Sequence, residues 1–290
     1  MVVLAGSGWV MADTAADAKA KLIKRRFDVS ALADKKDPAS EPALKEALID
    51  KDGLVRLAAV RGLHAINAQD AAPSLAGMLV KDPDPAVREE AALALKDWQG
   101  PDVLPALIRG AKDSSPEVRV VCIQALGAST APTARAAVIR AAKDPAPEVR
   151  RTVMDQFAHA SDPAVVPVLT AGLKDVDPAV RANAALGIGF YAKLHMPSAL
   201  PGLLTDPDDE VRASAARAMA QAGDARGTPV AMDLLKSTNP TARQLAVEAL
   251  GYTHGPEAKA ALATMAANDP DVTMREAAQL ALERMGHKTK

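Results

Sequence analysis

The stretch KDPDPAVREEAALAL, Lys81 to Leu95, reads as the opening of a helix. Asp84 is an N-cap residue type, whose side chain accepts an otherwise unpaired helix N–H. Pro85 suits the first helical position, where the missing N–H had no partner anyway. Val87, Ala91 and Leu95 then recur at four-residue spacing and form one apolar stripe. Close copies follow at SPEVRVVCIQAL (Ser115 to Leu126), APEVRRTVMDQF (Ala146 to Phe157) and DPAVRANAALGI (Asp177 to Ile188). Aligned on one arginine, the copies place Arg56, Arg88, Arg119, Arg150, Arg181, Arg212, Arg243 and Arg275 at intervals of 31 or 32 residues.

Each aligned column has a physical job. Four residues before the arginine stand Asp52, Asp84, Ser115, Ala146, Asp177, Asp208, Asn239 and Asp271, all but Ala146 being N-cap types. One residue before it the column is valine in repeats one to six, and seven residues after it the side chain is always large and apolar, from Leu63 to Leu282. Amphipathic segments such as DVLPALIRGA, Asp102 to Ala111, precede these helices. Each repeat is therefore a pair of antiparallel helices, too small to bury its own apolar face, and it must stack on the next. The expected fold is all-α: a right-handed α-solenoid of about eight two-helix repeats over residues 41–286. Composition agrees, since 49% of the 290 residues are apolar but only 2% are aromatic, which suits helices packed closely through Ala, Val and Leu.

The D-x-D/S-P-x-V-R start, the continuations CIQALG (Cys122 to Gly127) and VEALG (Val247 to Gly251), and the first-helix prolines Pro105 and Pro167 resemble the HEAT-repeat family in its short-repeat, phycobilin-lyase-like form. The resemblance implies a frame used by scaffolds, adaptors and a few enzymes, so function has to be argued from particular residues.

Six residues before each arginine stand Asp50, Asp82, Asp113, Asp144, Asp175, Asp206, Ser237 and Asp269. An arginine in a first helical turn points back toward that turn, where its planar fork can bond carboxylate and carbonyl groups. A ladder present in every repeat is a structural device.

Catalytic signatures are missing. The histidines His64, His159, His195, His254 and His287 are followed by Ala65, Ala160, Met196, Gly255 and Lys288. Deoxyhypusine hydroxylase, built on similar repeats, holds iron with His-Glu pairs, and that pattern is absent at all five histidines. No Gly-x-Ser-x-Gly, His-Glu-x-x-His or phosphate-binding glycine loop occurs. Cys122 falls in a column otherwise filled by alanine and valine, which makes it a core residue. The expectation is no enzyme, no metal and no cofactor.

Net charge is −1 with a pI near 6.5, and the columns one and five residues after the arginine are mixed in sign, so no phosphate-tracking stripe for nucleic acid emerges. The same columns offer Leu57, Val120 and Val121 beside Arg151 and Asp155, apolar contacts flanked by charge as in a protein-binding groove on the concave face. A second candidate is the irregular stretch GFYAKLHMP, Gly189 to Pro197, where about three residues have moved from the following first helix into a turn. Phe190, Tyr191, Lys193 and His195 in that turn either fill the lost volume or form a recognition loop.

At the N-terminus, MVVLAGSGWVMA (Met1 to Ala12) is apolar and small-x-small at its end, a pattern like that of a secretory leader, although nothing basic precedes Lys19. The pattern suggests an exported or periplasmic protein; otherwise the segment is an apolar extension of a cytoplasmic one. No run reaches the ~18 residues of a membrane-spanning helix. Residues 13–40 form a basic capping helix, with Lys19, Lys21, Lys24, Arg25 and Arg26 solvated above Leu22, Ile23, Phe27 and Leu32, and residues 287–290 a tail. The function expected is a non-enzymatic scaffold or adaptor for a protein or peptide. The alternatives are an enzyme component resembling the phycobilin lyases, which handle a tetrapyrrole and its carrier protein, and a purely structural spacer.

Overall fold

The computed structural model describes residues 15–160, 162–191 and 196–287, and no strand occurs among them. The leader-like segment Met1 to Ala12 and the candidates Lys193 and His195 lie outside the described residues. A long helix α1 (Ala15–Lys35) comes first. Helix pairs follow: α2 (Glu41–Ala47) with α3 (Gly53–Ala65), α4 (Ala72–Lys81) with α5 (Pro85–Asp97), α6 (Val103–Gly110) with α7 (Pro116–Gly127), and α8 (Pro132–Ala141) with α9 (Pro147–Ala158). Then come α10 (Val166–Gly172) with α11 (Pro178–Tyr191), a 3₁₀ segment (Leu200–Thr205) with α12 (Asp209–Gln221), α13 (Thr228–Leu234) with α14 (Pro240–Thr253), and α15 (Pro256–Asn268) with α16 (Val272–His287). The chain divides into two compact units, one ending at Cys122 and the other beginning at Ile123.

The sequence columns do their expected work. Asp52 and Asp208 each accept two N–H groups of the helices they open, and Asp84 and Asn239 accept one each. The valine column, Val55, Val87, Val118, Val149, Val180 and Val211, is buried throughout. Cys122 is fully buried, and burial together with the nearby Asp113 charge pushes its thiol up to about 12, so it is an inert core residue.

The ladder joins neighbouring repeats. In the first unit Arg56 donates from Nε and Nη2 to the two carboxylate oxygens of Asp82, both at 2.7 Å, and Arg88 does the same to Asp113. In the second unit Arg150 forks onto Asp175 at 2.7 Å, Arg181 onto Asp206 at 2.8 and 2.9 Å, and Arg243 reaches Asp269 at 2.5 Å. The remaining Nη1 donates within its own repeat, from Arg56 to the Asp50 carbonyl at 2.8 Å and from Arg119 to the Asp113 carbonyl at 2.8 Å. The aspartate also shapes its own turn, as where Asp175 Oδ1 accepts the Asp177 N–H at 2.9 Å while its carboxylate holds Arg150. One carboxylate thus closes a turn and ties two repeats together.

The helix α1 extends that ladder. Arg25 sits 31 residues before Arg56 and brings Nε to 2.9 Å and Nη2 to 3.1 Å from the Asp50 carboxylate, the same pattern as Arg56 on Asp82. Arg26 pairs with Asp52 at 2.6 Å. Part of the basic cluster is therefore used in locking α1 onto the first repeat. The stripe beneath α1 differs from expectation. Leu22 and Leu32 are half-buried, but Ile23 is 56% and Phe27 72% exposed, because the inward face runs through Leu22, Arg26, Val29 and Ala33.

The irregular stretch also differs. The preceding helix α11 runs on through Phe190 and Tyr191, so these two residues are helical rather than in a turn, while the next first helix shrinks to the 3₁₀ segment Leu200–Thr205.

Candidate partner-binding groove

In the second unit, positions two, five and nine after the ladder arginine share one helical face, since steps of three and four residues return to the same side. On α9 with its C-cap residue, α11, α12 and α14, that face carries Asp155 and His159, then Asn183, Leu186 and Phe190, then Arg217, then Leu245 and Glu248. With Ala158 these residues line a groove of about 280 Å³. Leu186 and Leu245 give it apolar walls, and Arg217 Nε is held by Glu248 at 2.5 Å. The Asp155 carboxylate accepts only a 3.4 Å hydrogen bond from Gln156 of its own helix, and its backbone carbonyl lies 3.0 Å from His159 Nδ1.

Two glycines set how the helices lie. A Cβ on Gly189 would stand 3.2 Å from the Ala218 Cα, and one on Gly187 3.3 Å from the Ala158 Cα. Their absence lets α11 lie close against both α9 and α12. The residues nine after each arginine then form a row along the helix ends. His159 and Phe190 rings lie 6.1 Å apart, Gln221 Nε2 donates to the Tyr252 hydroxyl at 3.3 Å, and the Arg284 guanidinium lies 4.9 Å over the Tyr252 ring. Phe190 is 58% exposed, and a large aromatic left open beside an apolar groove is the unusual feature of this face.

The two sets of sequence candidates are partly merged. Asp155 and Phe190 line the same groove. Tyr191 points the other way: it is buried, and its hydroxyl donates to the Ala160 carbonyl, so it packs rather than presents a surface. Val121 is likewise buried, Leu57 and Val120 are half-buried, and Arg151 is exposed one turn before Asp155. Position one after the arginine is buried at Ala182 and Ala213 but exposed at Arg151, Gln244 and Glu276, and position two is itself buried at Val121, Ser214 and Leu245. Asn183, Leu245 and His159 were not among the sequence candidates, although they stand one helical turn to either side of position five.

A stack of short antiparallel helix pairs tied by an arginine–aspartate ladder defines an α-solenoid repeat protein. A model of HEAT repeats matches residues 19–96, 77–153, 136–205 and 196–283, and the chain belongs to the HEAT-repeat family. Among solved structures, the Escherichia coli protein YibA is similar over 89% of this chain and 96% of its own, with 24% identity and a TM-score of 0.62, a likeness of fold. Human deoxyhypusine hydroxylase, solved in complex with glycerol, aligns over 93% of this chain and 100% of its own at 22% identity and a TM-score of 0.36. No curated protein matches.

Proposed function

We propose that the chain is a non-enzymatic scaffold that seats a protein or peptide segment on the exposed face of its second helices, in the groove walled by Leu186, Phe190 and Leu245. The observation that carries this is Phe190, which is 58% exposed in the rim of an apolar groove whose polar neighbours Asp155 and Asn183 lack strong partners of their own. Aromatic anchors set among charged side chains are how polypeptide interfaces concentrate their energy. Family membership supports it, since stacked helix pairs expose long continuous surfaces. None of the described helices is long and apolar enough to cross a membrane. Export is proposed on the residue pattern before Asp13, and an intact mass retaining Met1 in the native host overturns it.

The test is site-specific photo-crosslinking in the native host. A photoreactive residue at Leu186 should trap one discrete polypeptide that the same residue at Val176, 89% exposed in a turn of the same unit, does not. Equal trapping at both positions, or none at Leu186, overturns the assignment of the groove.

A further inference from the structure

Resting on the proposal that this groove binds polypeptide, we infer that the segment it takes is extended and carries a lysine or arginine next to an aliphatic residue, the cation meeting Asp155 and the aliphatic side chain entering between Leu186 and Leu245. Charge comes first. Among the described residues lining the groove Arg217 is the one permanent cation, and Glu248 already neutralises it at 2.5 Å. The Asp155 side chain is exposed, its carboxylate accepts only the 3.4 Å hydrogen bond from Gln156, and it forms no ion pair with Arg151 one turn before it. Among its lining residues the groove therefore presents one uncompensated negative charge, at its α9 end, while its one permanent cation is already engaged, and exposed Arg151 stands one turn outside the lining. Phe190 strengthens the preference. Its exposed ring can bear on a cation or on the methylene stem that carries one, and Lys and Arg offer both.

Asn183 argues for an extended backbone. Its half-buried amide has no hydrogen bond to any described group, while it stands among the lining residues between α9 and α12. A side-chain amide offers a donor and an acceptor together, which matches the N–H and C=O of a peptide unit. A segment in regular helix has those groups already used, whereas an extended one has them free. Adjacent side chains of an extended segment point to opposite sides, so a basic residue turned to Asp155 can be flanked by one turned to the leucines.

The experiment is a positional-scanning library of fluorescein-labelled octapeptides, read by anisotropy against the full chain and three variants: Asp155→Lys, Asp155→Asn and, as a control on exposed α15, Glu257→Lys. Asp155 is exposed, so both of its variants should melt like the parent, which circular dichroism checks. Expected is enrichment of Lys or Arg beside Leu, Ile or Met. Binding should be weaker by about tenfold or more in Asp155→Lys, by less in Asp155→Asn, and unchanged in Glu257→Lys. Selection of acidic peptides, or binding indifferent to both Asp155 variants yet lost in a Leu186→Asp variant whose fold circular dichroism checks, overturns the cation inference and leaves the polypeptide groove standing. No binding of any peptide by the folded parent overturns both.

Discussion

Arg212 turns onto Asp209 of its own helix instead of reaching the next repeat, and Ser237 donates its hydroxyl to the other oxygen of the same carboxylate. Ser237 occupies the position where the ladder elsewhere offers aspartate, and Asp209 the position where five repeats carry proline. The two departures compensate each other: the charge that left one helix pair returned on its neighbour. The Ser237 hydrogen bond, against some burial, and then Arg212 hold the Asp209 carboxyl below the usual carboxylate range.

A double-mutant cycle follows from this exchange. Asp209→Pro alone strands Arg212 and removes the acceptor of Ser237, and Ser237→Asp alone sets two carboxylates beside one guanidinium. Both singles should lower stability, while the double variant rebuilds the common rung and recovers most of the loss, with a coupling of about 1 kcal/mol or more. Urea denaturation of the four proteins measures it, and strictly additive losses contradict the compensation.

The interior rungs should matter more than the end of the ladder. Arg150→Leu leaves Asp175, whose side chain is 13% exposed, without its fork. The cost should be about 2–4 kcal/mol, at the lower end for a broken buried pair because some solvent reaches the site. Arg275 donates only to the Asp269 and Pro270 carbonyls, so Arg275→Leu should cost about 1 kcal/mol. Equal losses from the two variants would mean that the fork adds nothing beyond the carbonyl bonds.

The same rungs set an acid limit. Burial pushes the Asp113, Asp175, Asp206 and Asp269 carboxyls up, but the arginines and the turn N–H groups outweigh it, leaving all four below the ordinary value of 3.8. A group whose folded value is depressed stabilises the fold above its unfolded value and loses that contribution as pH falls through the folded one. Stability should therefore hold steady from pH 7 to about 5 and fall below about 4. Urea midpoints across that range test it, and Asp175→Asn, which has no carboxyl to titrate there, should show a shallower fall.

The frame was legible because the repeat states it eight times: caps, prolines, valines and the arginine recur at one spacing, and each has a local physical cause. The rung at Arg25 obeys the same 31-residue interval but escaped notice, since no Asp-Pro turn precedes it. The groove was legible only in part. Asp155 and Phe190 stood out as a charge on an outward column and an aromatic in an irregular stretch, but whether they meet depends on how closely α9, α11 and α12 approach, which the bare glycines Gly187 and Gly189 decide. Asn183 and His159 lie one turn to either side of position five on the same helical face, a step of three or four residues that the columns at one and five do not follow.

The adjacent residues Phe190 and Tyr191 should separate binding from stability. Tyr191 is buried and its hydroxyl donates to the Ala160 carbonyl, tying the end of α11 to the residues after α9. Tyr191→Phe removes that bond and should cost about 0.5–1.5 kcal/mol while leaving crosslinking from Leu186 unchanged in the folded protein. Phe190 is 58% exposed and contributes little to the core, so Phe190→Ala should melt within a few degrees of the parent and lose most of that crosslink. Thermal melts and crosslinking yields on the same two variants make the comparison. If Phe190→Ala instead unfolds the chain, or Tyr191→Phe abolishes trapping at full stability, the two residues have the opposite roles, and the partner surface lies on the Tyr191 side of α11.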